Sequence, residues 1–244
     1  CVLCRRAEAD PHICGNKFEK NGLYAHACCL WFANGLRSLQ DEREWLVFLL
    51  RDVRRAAERA AQQECFVCGE SGAAITCWET GCDRSFHLPC AAEGECVTQY
   101  FAPFRSFCWE HRPEQTVEAT PEEDTSCLLC LELVEEMKSY GTMVCPACKH
   151  AWFHRGCIQA GAVPSARGTA GAQQHQGLTP APCVPLQGQA VHGGFSLFQC
   201  PLCRDRDLFR KEMLTMGIRV PKSLPRWDAQ EFAALNQRHS RCDA

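Results

Sequence analysis

The sequence predicts a small α+β protein made of tandem modules, with little regular secondary structure and one bracing helix. The 244 residues include 21 cysteines and 9 histidines, many of them in pairs separated by two residues. Such pairs form short turns that hold two ligands of one tetrahedral zinc ion, whereas a disulfide scaffold has no use for histidine at a fixed spacing. We therefore expect zinc, five ions in all, and a reducing compartment.

The first 40 residues predict a zinc knuckle. A Cys-x-x-Cys pair opens the chain, and a His-x-x-Cys pair follows about twenty residues later. Cys28 is an alternative to Cys29 in the second pair, but His-x-x-Cys is the commoner turn. The four predicted ligands are Cys1, Cys4, His26 and Cys29.

Residues 41–63 predict a helix that braces the knuckle against the next module. Apolar residues recur at helical spacing from Leu46 to Ala60, and Asp41 and Glu42 suit the positive end of a helix dipole. Four arginines lie on or near another face: Arg51, Arg54, Arg55 and Arg59. They predict either a solvated face or a basic ridge that contacts DNA phosphate or an acidic protein surface.

Residues 64–113 contain the clearest pattern, four ligand pairs in the order of a cross-brace finger. In a cross-brace, the first and third pairs share one ion, and the second and fourth pairs share the other. The two predicted sets are Cys65, Cys68, His87 and Cys90, and Cys77, Cys82, Cys108 and His111. A module this small cannot bury enough apolar surface to fold unaided, so zinc would supply the deficit, about 10–16 kcal/mol per structural site in finger peptides.

The second half of the chain predicts a linker, another cross-brace and a tail. Residues 114–126 are rich in glutamate and proline, which favours an acidic, solvated linker. The second cross-brace covers 127–206. Its segment 160–187 is rich in Ala, Gly, Pro and Gln and lacks aromatic residues, so we expect a disordered insertion. The tail, 207–244, carries apolar residues that would pack on this last module.

Short motifs then point to a family. They are Gly-Ala-Ala-Ile at 72–75, Phe-His-Leu-Pro-Cys at 86–90, Ser-Phe-Cys at 106–108, His-Arg-Pro at 111–113, Ala-Trp-Phe-His-Arg at 151–155, Glu-Met-Leu-x-Met-Gly-Ile at 212–218 and Cys-Asp-Ala at 242–244. With them the chain resembles the PHD finger protein 7 family, in which an extended PHD finger (1–113 here) precedes a PHD/RING module. The resemblance covers nearly the whole chain outside the insertion. It implies a nuclear chromatin protein with RING-type ubiquitin ligase activity toward histones.

The last module leaves one ligand pair open. Cys145 and Cys148 fit a PHD-like order, whereas Cys148 and His150 fit a RING-like order. We favour the first pair. The predicted sets are then Cys127, Cys130, His154 and Cys157 for one ion, and Cys145, Cys148, Cys200 and Cys203 for the other.

A RING-type ligase has no nucleophile of its own. It holds a ubiquitin-conjugating enzyme and its ubiquitin so that a substrate lysine can attack, which is catalysis by positioning. The module therefore needs an apolar patch and a cationic donor. The candidate contacts are Leu129, Trp152, Pro201 and Arg204, although the first two also suit a core, the third a turn and the last a plain surface charge.

The alternative is a non-enzymatic histone reader or chromatin scaffold. Phe198 favours it, because PHD fingers place a core aromatic two residues before this ligand pair. Trp78 and Trp109 are candidate members of an aromatic cage for a methylated lysine, although packing or plain exposure suits them better. In either hypothesis the partners are histones or the nucleosome, with nonspecific DNA phosphate contact by the basic ridge. No apolar run reaches the ~20 residues that span a bilayer, so no membrane partner is expected.

Overall fold

The computed structural model describes residues 1–7, 9–36, 39–40, 46–135, 137–159 and 198–219. Within these residues the chain forms five antiparallel two-stranded ribbons and a few short helices, which is a small α+β fold. The predicted insertion at 160–187 and the tail beyond 219 lie outside the described residues. None of the described helices is long and apolar enough to cross a membrane.

The knuckle is a β-hairpin flanked by two short helices. Helix α1 spans Pro11–Cys14, strand β1 spans Lys17–Lys20, strand β2 spans Leu23–His26 and helix α2 spans Ala27–Phe32. Asn21 and Gly22 connect the strands with positive φ angles of 52° and 73°, as a tight hairpin turn of the Asn-Gly type requires. Because β2 ends at His26 and α2 follows at once, the junction carries a His-x-x-Cys pair.

The bracing helix is shorter than the sequence predicts. Strands β3 (Leu39–Gln40) and β4 (Leu46–Val47) pair with each other, so Leu46 is extended rather than helical. Helix α3 spans Leu50–Ala60 only, and residues 41–45 lie outside the described residues. Its Val53, Ala56 and Ala60 are buried, and its four arginines are exposed.

The middle finger contains two ribbons and shares one core with the knuckle and α3. Strands β5 (Ile75–Thr76) and β6 (Ser85–Phe86) form the first ribbon, and β7 (Val97–Thr98) and β8 (Ser106–Phe107) form the second. The shared core includes Leu3, Phe32, Val53, Ile75, Phe86 and Leu88. The knuckle, α3 and the middle finger therefore fold as one unit rather than as independent modules.

The last module has a core of its own. Strands β9 (Thr142–Val144) and β10 (Trp152–His154) pair, and helices α4 (Arg155–Gln159) and α5 (Asp207–Thr215) pack beside them. The Phe209 ring of α5 lies 5.4 Å from Phe153 and 5.6 Å from Phe198, between ring centroids. Residues 207–219, the described part of the predicted tail, thus contribute directly to this core.

The linker is anchored rather than simply solvated, which corrects the expectation for 114–126. Its acidic side chains are exposed, but Gln115 is buried. The Gln115 side-chain amide donates to the Val144 carbonyl at 3.0 Å and accepts from the Val144 N–H at 2.8 Å. A side chain therefore substitutes for a neighbouring strand and ties the linker to β9.

A second joint lies at the end of α5. Gln99 donates to the Thr215 carbonyl at 2.9 Å, and Gly217 packs directly on Thr98. Arg219 stacks over the Tyr100 ring at 5.1 Å and donates to the Cys28 thiol at 3.1 Å. The last module is thereby fixed to both the finger and the knuckle.

Candidate zinc centres and partner surface

The structure gathers twenty cysteine and histidine side chains into five groups of four. Within each group the ligand atoms all lie within 4.8 Å of one another. The groups are Cys1, Cys4, His26 and Cys29; Cys65, Cys68, His87 and Cys90; Cys77, Cys82, Cys108 and His111; Cys127, Cys130, His154 and Cys157; and Cys145, Cys148, Cys200 and Cys203. These sets coincide with those predicted from ligand spacing. All nineteen cysteines of the described residues are free thiols.

The spacing of these atoms fits zinc. Zinc bonds of about 2.3 Å to sulfur and 2.0 Å to nitrogen, at tetrahedral angles, put ligand atoms roughly 3.5–3.8 Å apart. The His Nδ1 atoms lie 3.5 Å from Cys4, 3.4 Å from Cys68 and 3.2 Å from Cys130, measured to sulfur. In the all-cysteine group, Cys145 and Cys203 are 3.8 Å apart. The donor sets, three Cys with one His or four Cys, are those of structural zinc sites.

Three of the four histidine ligands share one local construction. His26 ends β2, His87 follows β6 and His154 ends β10, and each is followed at once by a helical turn that carries the paired cysteine. A strand leading into a helical turn places residues three apart on the same side. This explains why His-x-x-Cys recurs in all three modules.

The ambiguous pair of the last module is resolved by geometry. Cys145 follows β9, and its N–H donates to the Ala151 carbonyl at 2.8 Å, which turns the thiol inward. Cys145 and Cys148 both join the fifth group, whereas His150 is exposed and belongs to none of the groups found among the described residues. Cys145 and Cys148, rather than Cys148 and His150, therefore form the second ligand pair of this module.

Local electrostatics favour the metal-binding protonation state at some of the ligands, whereas burial raises the pKa of Cys77 to about 11 and that of Cys90 to about 12. Burial lowers the pKa of His26 and of His87, which favours the neutral imidazole that binds zinc. A hydrogen bond with Cys157 lowers the pKa of Cys127 to about 4. At Cys108 burial acts to raise the pKa, but hydrogen bonds from Arg84 and from the backbone outweigh it and lower the pKa to about 6. Thiolates are the forms that ligate zinc.

A set of supporting contacts surrounds the ligands. His154 uses its second ring nitrogen to contact the Leu133 carbonyl at 3.1 Å, which orients the ring. Arg6 donates to the Cys90 sulfur at 3.5 Å, and Arg84 donates to the Cys108 sulfur at the same distance. Neither arginine is predictable from the sequence, because nothing in the ligand spacing marks a side chain that approaches from outside a pair.

Burial corrects two of the four candidate ligase contacts. Leu129 and Trp152 are only 6% and 3% exposed, because Leu129 packs in the module core and Trp152 lies in β10 opposite Val144. Their surface cannot serve a partner. Pro201 is partly exposed and Arg204 is exposed. Leu202, which is not among the predicted contacts, is 56% exposed; its place inside a tight Cys-x-x-Cys turn is the sequence signal that indicates it.

Other predicted contacts lie at the surface with neighbours of their own. Arg51, Arg54 and Arg55 are exposed on α3, and Arg59 is exposed there while donating to the Asn34 carbonyl at 3.0 Å. The two tryptophans considered for a cage are half exposed, but each already faces a guanidinium. Arg105 lies 5.6 Å from Trp78, and Arg84 lies 5.3 Å from Trp109.

These centres define a zinc-finger protein of tandem modules. Residues 26–112 match the model of a PHD-like zinc-binding domain. Over its whole length the chain is 35% identical to the human G2/M phase-specific E3 ubiquitin-protein ligase and covers 31% of it. It is also 22% identical over its whole length to the pineapple eye protein of Drosophila melanogaster, covering 38% of that protein. About half of it (51%) is 30% identical to mouse PHD finger protein 11, covering 38% of that relative. The chain thus spans roughly a third of these relatives.

Proposed function

We propose that this chain acts as a RING-type E3 ubiquitin-protein ligase on histones in the nucleus. Its similarity, over the full chain, to a protein named as an E3 ubiquitin-protein ligase supports the ligase class. The proposed contact site for the conjugating enzyme and ubiquitin is the turn at 200–204 of the last cross-brace. There Pro201, Leu202 and Arg204 reach the surface, while the flanking cysteines belong to a zinc group.

The turn has the properties that positioning requires. Cys200 accepts from the Arg204 N–H at 2.8 Å and donates to the Asp205 carbonyl at the same distance, so the backbone is held from both sides. Arg204 adopts a φ of 60°, which directs the chain sharply away after the last ligand. Zinc, when bound, fixes the two cysteines that frame the turn. Pro201 and Leu202 then offer an apolar surface to a ubiquitin-conjugating enzyme, and the exposed Arg204 guanidinium offers donors to that enzyme and to ubiquitin.

Chromatin docking is assigned to residues 1–113. The exposed arginines of α3 supply positive charge for nucleosomal DNA phosphate or an acidic histone surface, and such contacts weaken as salt rises. The joints at Gln115 and Gly217 hold this unit against the last module. A nucleosome bound by the extended finger would therefore meet the conjugating enzyme in one preferred orientation.

The decisive experiment is ubiquitination of reconstituted nucleosomes with an activating enzyme and a panel of conjugating enzymes. Matched exposed residues provide the controls. Arg204→Ala should reduce product at least about tenfold if its donors hold the transition-state geometry, while Arg206→Ala, two residues away, should not. Leu202→Ala should likewise lose activity. Leu208→Ala is the matched control, because the two leucines are 56% and 53% exposed, and it should retain activity. No chain-dependent product with any conjugating enzyme would refute the ligase hypothesis.

The second candidate is a non-enzymatic histone reader. Phe198 supports it, because the ring is buried in the last module's core as in a PHD finger. A histone peptide could bind a reader by pairing with it as an extra β-strand. Residues 72–74 are poorly suited to this, because their backbone groups already have hydrogen-bond partners. The N–H groups of Gly72 and Ala73 donate to Gln63, and the Ala74 carbonyl accepts from Asn34. Saturable binding of histone peptides, without ubiquitination by any conjugating enzyme, would favour the reader.

A further inference from the structure

Arg6 belongs to the knuckle by sequence but contacts a zinc ligand of the middle finger. It follows the knuckle ligand Cys4 by two residues, and its guanidinium donates to the Cys90 sulfur at 3.5 Å. Cys90 belongs to the first finger group, with Cys65, Cys68 and His87. One module therefore supplies a supporting contact to the metal site of another.

The path of the chain to this position depends on the knuckle's own metal turn. The Arg5 N–H donates to the Cys1 carbonyl at 2.8 Å and closes the Cys1–Cys4 turn, and Arg5 then adopts a φ of 54°. The Arg5 side chain donates to the Ser71 hydroxyl at 2.7 Å. It passes so close to Gly72 that a Cβ there would lie 2.8 Å from it. Arg5 thus holds the Cys1–Cys4 turn against the finger, and this places Arg6 beside Cys90.

The charge at the finger site explains what this contact does. Three thiolates and a neutral imidazole around one Zn²⁺ carry a net charge of −1. A guanidinium that hydrogen-bonds a thiolate sulfur stabilises that charge and hinders protonation of the ligand. The second finger group has an equivalent contact from within the finger, because Arg84 donates to Cys108.

We propose that Arg6 couples the knuckle zinc to the first finger zinc, so that loss of the knuckle ion weakens the site at Cys65, Cys68, His87 and Cys90. The site at Cys77, Cys82, Cys108 and His111 is independent of the knuckle, because its arginine comes from the finger itself. Arg6 is a positioning and charge-balancing residue, not a ligand. The inference does not depend on ligase activity.

Thiol labelling during chelation resolves the two finger sites. The zinc-loaded full chain is exposed to a chelator, pulsed with N-ethylmaleimide and mapped by peptide mass spectrometry. Arg6→Ala should speed labelling of Cys68 and Cys90 by about tenfold, the lower end of typical effects of supporting residues on metal affinity. Cys82 and Cys108 should keep their wild-type rate. Arg6→Lys, which retains the charge, should fall between wild type and Arg6→Ala.

Two further variants separate coupling from unfolding. Arg84→Ala should give the reverse pattern, with Cys82 and Cys108 accelerated and Cys68 and Cys90 unchanged. Cys4→Ser, which removes a knuckle ligand, should accelerate Cys68 and Cys90 as Arg6→Ala does, and the double variant should add nothing more. Unchanged labelling of Cys68 and Cys90 in Arg6→Ala would overturn the proposal, as would equal acceleration at both finger sites.

Discussion

Gly217, two residues beyond α5, lies against the main chain of Thr98 in β7. A Cβ atom at Gly217 would stand 2.6 Å from the Thr98 carbonyl oxygen and 3.0 Å from its nitrogen. Gly217 also has a φ of +65°, a conformation that other residues adopt at a cost. Glycine is therefore required here for two reasons: its backbone conformation, and the close contact between the last module and the finger.

Replacement of Gly217 by alanine should loosen this joint. The added methyl group collides with backbone rather than with a side chain that can move aside, so we expect the free energy of unfolding to fall by about 1–3 kcal/mol. Chemical denaturation followed by tryptophan fluorescence measures this. Gly22→Ala is the control, since Gly22 has a φ of +73° but nothing within 4 Å of the added Cβ. An equal loss in both variants would mean that only backbone conformation matters.

Gln115 should be similarly important for the other joint. Truncation to alanine leaves the buried N–H and carbonyl of Val144 without their partner and removes a 2.9 Å hydrogen bond to Glu212. An unpaired buried polar group costs about 1–3 kcal/mol, so Gln115→Ala should lower the unfolding free energy by at least that amount. Gln62→Ala, at an exposed position, should change little. If the two variants were equally stable, the linker would not be anchored as the structure indicates.

Tyr140 of the last module makes three contacts, two with the finger and one within its own module. Its hydroxyl donates to the Cys96 carbonyl at 3.1 Å, and its ring lies 4.1 Å from the Arg155 guanidinium and 5.2 Å from that of Arg112. Tyr140→Phe should lose only the hydrogen bond, about 1 kcal/mol. Tyr140→Leu should lose a further 0.5–2 kcal/mol, approximately, because Arg155 is buried and its cation–π contact is desolvated. Urea unfolding measures the difference in unfolding free energy between the two variants. Equal stability of the two would contradict the cation–π contribution.

The sequence predicts the metal groups because the physics of ligation is local. A short turn sets the distance within each pair, and the cross-brace order then leaves few ways to combine pairs, as at Cys65 to His111. The predicted helix is wrong at its start because pairing of 46–47 with 39–40 is a tertiary contact that overrides helical periodicity. Trp152 looks like a surface candidate because a strand of three residues is too short to show which face is buried. Leu129 looks like one because it lies in the turn between two ligands, where no periodicity indicates burial.

The joints were beyond prediction for a different reason. Gln115, Tyr140 and Gly217 act through partners distant in sequence, and neither their type nor their spacing reveals those partners. Gln115 even lies in a segment whose composition indicates a solvated linker. The same holds for Arg6, whose sulfur contact is 84 residues away. Long-range contacts by ordinary side chains leave no periodic signal in a single sequence.

Zinc removal by acid tests the metal assignment as a whole. Burial lowers the pKa of His26 and His87, so their folded environments favour the neutral ring. Their contribution to stability is therefore complete above the unfolded pKa of about 6.5 and is lost as the pH falls below it. Protons also compete with zinc for the thiolates, which strengthens the effect. Native mass spectrometry should find five ions at pH 7.5 and fewer as the pH falls through about 6 to 4. The all-cysteine group contains no histidine, so its zinc should be released only by protons that compete for its four thiolates. Fewer than five ions at neutral pH would contradict this grouping of ligands.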